Sequence, residues 1–268
     1  MEKLTSLAKR RGFVYPGSEI YGGLSGTWDY GPLGVELKRN IKSEFWKRMV
    51  QFRTDVVGID AAILMSPKVW EASGHLESFS DPLVECKKCH HRFREDELEQ
   101  SMCPDCGGPL TEPKAFNLMV EAYLGVIEGE KTKTYLRGEI TQGVHVNFRN
   151  VLDSTRVKLP FGVAQIGKAF RNEITPGGFT FRSREFEQME VQFYIRPDDE
   201  EARNWFEYWK EERMKFFLDL GIKEHNLRFK DHAENELAHY AKEACDIEYK
   251  IDGVWKEMEV IHNRGDWD

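Results

Sequence analysis

The sequence predicts an α+β fold: an antiparallel sheet of hairpins flanked by helices, with a small zinc-ribbon insert. Three observations carry this expectation. Two stretches read as strand, turn and strand: Phe170 to Glu190 around a glycine-rich turn, and D-I-E-Y-K-I followed by Asp252-Gly253 and V-W-K-E-M-E-V-I. Two long segments, one from Pro32 through Val50 and one after Asp198, carry apolar residues at helical spacing. Between the first helix and the first hairpin lie two C-x-x-C pairs, the spacing of a closed metal knuckle.

Composition narrows the function classes. The chain has 268 residues, 40% of them hydrophobic and 31% charged, which suits one or two soluble globular domains and excludes a disordered chain. No apolar run approaches the roughly 20 residues of a membrane span, so no membrane partner is expected. The opening M-E-K-L-T-S-L-A-K-R-R-G lacks a signal-peptide core and reads as an amphipathic helix, giving a cytoplasmic expectation. A net charge of -8 argues against a protein that coats itself with nucleic acid, although Lys38-Arg39, Lys42 and Lys47-Arg48 could form a local basic patch.

In chain order, the glycines of E-I-Y-G-G-L-S-G-T-W-D-Y-G-P-L-G fit neither phosphate-loop fingerprint and read as a turn against aromatic neighbours. Pro32 opens a helix in which Leu33, Leu37, Ile41, Phe45 and Met49 form one stripe, for the core or for a dimer interface. Residues 54–72 read as a buried strand and a short helix after Pro67, and 73–86 as a polar linker. Cys86, Cys89, Cys103 and Cys106 then offer four thiolates to one tetrahedral ion. Zn²⁺ in a structural role is the expectation and a pair of disulfides the alternative; Lys87, Lys88, His90, His91 and Arg92 would offset the thiolate charge. The lone Cys245 reads as a small buried hydrophobe.

From Lys114 a strand-like run, the charged turn E-G-E-K-T-K and Y-L-R-G-E-I-T-Q-G follow. Arg137 and Glu139 sit there between apolar neighbours. Buried charge is costly unless paired, so this segment is a surface loop or a second part of a site. Residues 148–157 read as a helix. In the first hairpin Arg171 and Glu173 are expected on one strand face; Phe186, Gln188 and Glu190 share a face of the returning strand, and Met189, Val191, Phe193 and Ile195 the core face. An Arg, an aromatic ring and carboxylates converging there suit a nucleotide phosphate, a base and an amine.

Asp198 starts the long helix, with Ala202, Trp205, Phe206, Trp209, Phe216, Phe217 and Leu220 as its buried side and Gly221 as its stop. E-N-E-L-A-H-Y-A-K-E-A reads as a further helix. In the last strand Trp255, Glu257, Glu259 and Ile261 are expected on one face, the two carboxylates being either solvated or a hard-cation site.

F-R-N-E, a loop and R-E-F-E-Q-M-E resemble motif 2 of class II aminoacyl-tRNA synthetases, in the wording of the homodimeric glycyl-tRNA synthetases. W-D-Y-G-P-L-G-V-E-L-K-R-N-I-K, S-P-K-V-W-E-A-S-G-H, Y-L-R-G-E-x-x-Q-G-V-x-V-N-F and K-L-P-F-G-V-A-Q-I-G-K-A-F extend the resemblance over almost the whole chain. It implies activation of glycine with ATP and Mg²⁺, transfer to the acceptor end of tRNA(Gly), and a homodimer. It further implies residues 1–85 as the N-terminal part of a catalytic domain with a motif 1-like helix, 86–113 as the zinc-ribbon insert, and 114–268 as a core with motif 2. By match, Arg171 would hold the α-phosphate and the glycine carboxylate, Glu173 the adenine amino group, Phe186 the adenine face and Arg182 the γ-phosphate. Glu139 and Glu190 would take the glycine ammonium, Glu257 would hold Mg²⁺, and Glu259 is a weaker candidate.

Departures from the family pattern stand at three places. Gly138, Ile140 and Thr141 replace the usual residues of R-P-E-T-A-Q-G and are expected to loosen the backbone beside Glu139; Val260 replaces a usual glycine and Gly265 a usual threonine. The sequence ends before motif 3 and the anticodon-binding domain, as a truncated form would. The alternative function is a catalytically inert synthetase-like module that dimerises or binds nucleic acid. A zinc-ribbon interaction protein would explain only residues 86–106.

Overall fold

The computed structural model describes every residue except Glu128, His239 and Asp268, so one residue each of the charged turn, the expected 234–244 helix and the C-terminal H-N-R-G-D-W-D lies outside it. Glu2–Arg10 is the amphipathic first helix, α1, and Val14–Pro16 (β1) pairs antiparallel with Trp28–Tyr30 (β2) across the glycine loop. Pro32–Trp46 forms α2, started by a proline whose missing N–H would have had no partner there, and Lys47–Gln51 continues it with π-type hydrogen bonds. Val56–Ile59 is β3, Pro67–Ala72 α3 and His75–Ser78 α4. Ser80–Glu85 (β4) is flanked in one small sheet by Arg92–Arg94 (β5) and Lys114–Asn117 (β6). The stretch 73–86 is therefore not a polar linker: it is a helical turn and a strand, because Asn117 and the insert strands give its backbone partners.

Val120–Leu124 (β7) and Thr132–Leu136 (β8) make a hairpin, followed by the helices Thr141–His145 (α5) and Phe148–Thr155 (α6). Phe161–Phe170 (β9) and Glu185–Tyr194 (β10) are the antiparallel pair expected around the glycine-rich turn. The central sheet is not wholly antiparallel, since β3 runs parallel to β9. A parallel neighbour needs a long crossover, and here the crossover holds the whole insert. Asp199–Asp219 is α7, capped by the Asp198 carboxylate accepting from the Glu201 N–H at 2.8 Å, and Gly221 at φ 93 follows its end.

Leu227–Asp231 (β11), Glu243–Ile251 (β12) and Val254–Asn263 (β13) form a second antiparallel sheet, turned at Asp252 and Gly253, both at positive φ. The helix expected over 234–244 is absent among the described residues: turns run through it, and Ala244 and Cys245 are buried in β12. At the end of the stretch Glu243 and Ala244 pair with Asn263 and His262 of β13, which outweighs their helical preference.

One face of β9 and β10 packs with α2, α7 and the second sheet. Phe45, Met49, Trp209, Phe216, Phe217, Leu227 and Ile247 form that cluster, with Met189, Val191 and Phe193 against it. The expected α2 stripe is only half buried: Phe45 and Met49 are each 2% exposed, whereas Leu33 and Leu37 are 49% and 51% exposed. Leu220 also lies at the surface. Glu187 shares the greasy face of β10 and is neutralised there by Lys38 at 2.9 Å and Lys42 at 3.2 Å. The opposite face of the pair meets α5 and α6 through Val144, Val151, Phe161 and Val163.

Candidate active site

Phe186, Gln188 and Glu190 project from one face of β10, as alternation requires, opposite Ala169, Gly167 and Gln165 of β9. Side-chain amides pin the segment 137–141 onto this face. Gln165 is fully buried, accepts from the Ala61 N–H at 2.8 Å and donates to the Ile140 carbonyl at 2.8 Å, while Gln188 accepts from the Ile140 N–H at 3.2 Å. Arg137, 2% exposed, donates to the Lys168 and Ala61 carbonyls at 2.6 and 2.8 Å. A Cβ at Gly167 would overlap that guanidinium, so β9 needs a glycine there. The segment is thus packed on the face that carries Gln188 and Glu190 and is not a surface loop.

Two carboxylates face each other across this junction and are driven in opposite directions. Burial would raise Glu139, but His75, whose Nε2 lies 3.3 Å from Oε1, and the nearby charge of Arg171 hold it down at about 2. Burial pushes Glu190 up to about 7; the Thr141 hydroxyl, donating to Oε2 at 2.8 Å, pulls it back and the charge of Glu139 raises it. Glu190 Oε1 is buried with no hydrogen-bond partner. An acceptor pair of this kind, one fixed negative charge and one unsatisfied carboxyl, suits an ammonium ion.

Arg171 and Glu173 lie just beyond the end of β9, not on the strand, because the ladder closes at Phe170 opposite Glu185. The Arg171 Nε donates to the Gly138 carbonyl at 3.1 Å, and its guanidinium sits between the rings of Phe79 and Phe186, 5.1 and 5.2 Å from their centres. Gly138 does not loosen the backbone. An added Cβ would come within 2.8 Å of Phe79 Cε1 and 3.2 Å of Met119 Sδ, so glycine permits tight packing beside Glu139.

Glu173 is buried and its Oε2 meets no hydrogen-bond donor; burial raises its carboxyl against the pull of Arg182 and Arg171. Arg182 lies 3.7 Å from Glu173, but its closer partner is Glu97 of the insert at 2.5 Å. Glu257 is raised by burial and then by the neighbouring Asp246, which marks a crowded acidic spot on the site face of the second sheet.

Glu259 does not join it. The register slips between Ile247 and Glu248, which stand opposite Glu259 and Glu257 respectively, so Met258 is an extra residue and the two carboxylates point to opposite faces. Glu259 instead takes a bidentate pair from Arg213 of α7 at 2.5 and 3.0 Å, which removes it as a magnesium candidate.

Cys86, Cys89, Cys103 and Cys106 bring their sulfur atoms within 4.8 Å of one another. The pairs Cys86–Cys106 and Cys89–Cys103 stand at 3.5 and 3.6 Å, close to the roughly 3.8 Å edge of a ZnS₄ tetrahedron with bonds of about 2.3 Å. All four are free thiols, and the Cys89 and Lys88 N–H groups point at Cys86 Sγ, so the donor set fits a closed structural site. The neighbouring charges pair elsewhere: His90 and Arg92 with Glu85 at 3.2 and 3.0 Å, His91 with Asp105 at 2.5 Å. Cys245 is buried and its thiol is raised to about 12, as an inert core residue.

Sequence reasoning passed over His75, Phe79 and Thr141, all of which touch the functional side chains. The signal for His75 is its place in S-G-H after a short helix that ends a few residues beyond Trp70, a stretch without periodicity to mark it.

Residues 123–266 match the family described as the tRNA synthetase class II core domain (G, H, P, S and T). The whole chain aligns with the glycine–tRNA ligases of Treponema denticola at 54% identity over 275 residues and of Borrelia garinii subsp. bavariensis at 56% over 272. That of Thermobifida fusca is 50% identical over 289 residues. The chain spans about 60% of the length of these curated relatives: 60%, 61% and 62% in turn. With a hairpin-borne arginine, paired carboxylates and matches of this extent, the chain belongs to the class II tRNA synthetase core family.

Proposed function

We propose that this chain is the catalytic part of a glycine–tRNA ligase, which joins glycine and ATP into glycyl-adenylate and pyrophosphate and then passes glycine to the 3′ end of tRNA(Gly). The observation that carries the reading is the pair Glu139 and Glu190 beside Arg171, a charge pattern complementary to a small zwitterion: carboxylates for its ammonium, a guanidinium for its carboxylate. A glycine carboxylate oxygen attacks the α-phosphorus in line and pyrophosphate leaves. No proton is transferred in that step, so positioning and charge neutralisation supply the catalysis.

Arg171 holds the α-phosphate and the glycine carboxylate, Phe186 offers its ring to adenine, and Glu173, with its unsatisfied Oε2, takes the adenine amino group. Arg182 turns from Glu97 to the γ-phosphate when nucleotide enters. Glu257 is the residue suited to hold Mg²⁺, which would neutralise charge on the phosphates. Zn²⁺ in the four-cysteine insert is structural. Residues 1–85, 86–113 and 114–268 serve as entry part, insert and motif 2 core of one catalytic unit that works as a cytoplasmic homodimer, with the exposed Leu33 and Leu37 of α2 as interface residues.

Glycine-dependent ATP–pyrophosphate exchange tests the reading. Exchange that requires glycine and is lost in Arg171→Ala is expected; exchange that persists in the variant refutes the assignment of the site.

A further inference from the structure

His75 is 8% exposed, yet every polar atom of its ring is directed. Nδ1 lies 2.9 Å from the Ser73 hydroxyl and Nε2 lies 3.3 Å from Glu139 Oε1. A carboxylate can only accept, so the proton sits on Nε2 and is donated to Glu139. The ring is clamped between Trp70, 5.3 Å away and near perpendicular at 64°, and Phe79 at 5.0 Å. The backbone is clamped too: Asn117 donates to the carbonyls of His75 and Leu76 at 2.9 and 3.1 Å. Phe79 in turn packs on Arg171 and against Gly138, so one stack of rings reaches both the acid and the guanidinium of the amino-acid end.

We infer that His75 is a positioning residue of the amino-acid subsite, holding the Glu139 carboxylate ionised and in one rotamer so that it meets the substrate ammonium without reorganisation. The inference rests on the function proposed above and deepens it. An imidazole kept only for packing would need neither a hydroxyl on Nδ1 nor a carboxylate on Nε2. A buried carboxylate without its donor would drift toward the neutral acid, which has no charge to offer an ammonium.

The test compares two probes by calorimetry: glycyl-sulfamoyl-adenosine, a stable analogue of glycyl-adenylate, and sulfamoyl-adenosine, which lacks the glycyl group. His75→Leu keeps the bulk and removes the donor; His75→Gln keeps a donor near the Nε2 position. His75→Leu is expected to weaken the glycyl probe about 10- to 100-fold, the range of a charge-assisted hydrogen bond, with a loss that grows as pH falls. Sulfamoyl-adenosine binding should change less than about twofold, and His75→Gln should restore most of the glycyl affinity. Equal losses for both probes, or His75→Gln as weak as His75→Leu, overturn the inference.

Should His75→Leu fail to fold, Ser73→Ala, which removes the hydroxyl at Nδ1 together with its long 3.5 Å contact to the Trp70 carbonyl, should lower affinity for the glycyl probe selectively; a loss shared by both probes again overturns it. Failure of the parent chain to prefer the glycyl probe would instead refute the proposed function, so the two failures are distinct.

Discussion

Replacing Glu190 with Gln probes the electrostatics of the proposed amino-acid end of the site. In the ligand-free chain the Glu190 carboxyl is raised from 4.5 to about 7, first by burial and then, after the opposing Thr141 hydroxyl, by the charge of Glu139. That displacement corresponds to about 3 kcal/mol against the ionised form. The sign follows from proton binding: between pH 4.5 and about 7 the folded chain holds a proton that the unfolded chain has lost, so stability falls as pH rises through that window. Glu190→Gln removes the cost. Its advantage in urea unfolding should grow from near zero at pH 4.5 to about 3 kcal/mol at pH 8.

Ligand binding reports the same proton. An ammonium group placed on Glu190 favours the carboxylate, so glycyl-sulfamoyl-adenosine should displace about half a proton at pH 7 and nearly a whole one at pH 5.5. Its affinity should therefore rise about fifteen-fold between those two pH values, in which Glu139, at about 2, stays ionised. Calorimetry in buffers of different ionisation enthalpy measures the displaced proton directly. A pH-independent affinity with no proton release, or no pH-dependent gain in stability for Glu190→Gln, would refute a buried, largely protonated Glu190.

Four further outcomes follow from the geometry. Arg213→Met leaves the partly buried Glu259 without its bidentate partner and should cost about 2–4 kcal/mol in chemical denaturation. Glu257→Gln should shift the Mg²⁺ dependence of pyrophosphate exchange in a glycine-activating enzyme, whereas Glu259→Gln should act on stability and leave that dependence in place, because the β13 bulge separates the two. Metal analysis should find about one zinc per chain, and chelation should expose four additional thiols to a colorimetric reagent while Cys245 remains protected. Gly167→Ala would drive a methyl into the Arg137 guanidinium and should cost about 1–3 kcal/mol, measurable as a lower urea midpoint.

Three features were legible in the sequence because they are periodic or contiguous. Alternation over 185–194 located both faces of β10, and the stripe of α7 anticipated Trp209, Phe216 and Phe217 in the core. The four cysteines were readable because two C-x-x-C turns can meet in only a few ways. The α2 stripe divides, Phe45 and Met49 entering the core and Leu33 and Leu37 staying exposed, since spacing says which face is apolar and not where a partner begins. The 234–244 stretch misled because helical propensity is worth only tenths of a kcal/mol per residue, too little to hold a helix where the chain turns into β12.

Chain order alone was thus enough for the strand pair that flanks Arg171, the gathering of the four cysteines and the family resemblance. Through-space placement was left to tertiary packing. The Met258 bulge sent Glu259 to Arg213, the insert laid Glu97 on Arg182, and a turn 64 residues upstream brought His75 to Glu139. The physical reason is common to all three. Each side chain is charged or polar, carries no periodic signal of its own, and takes its role from the partner that offsets its burial, a partner distant in sequence and near only once the core has closed.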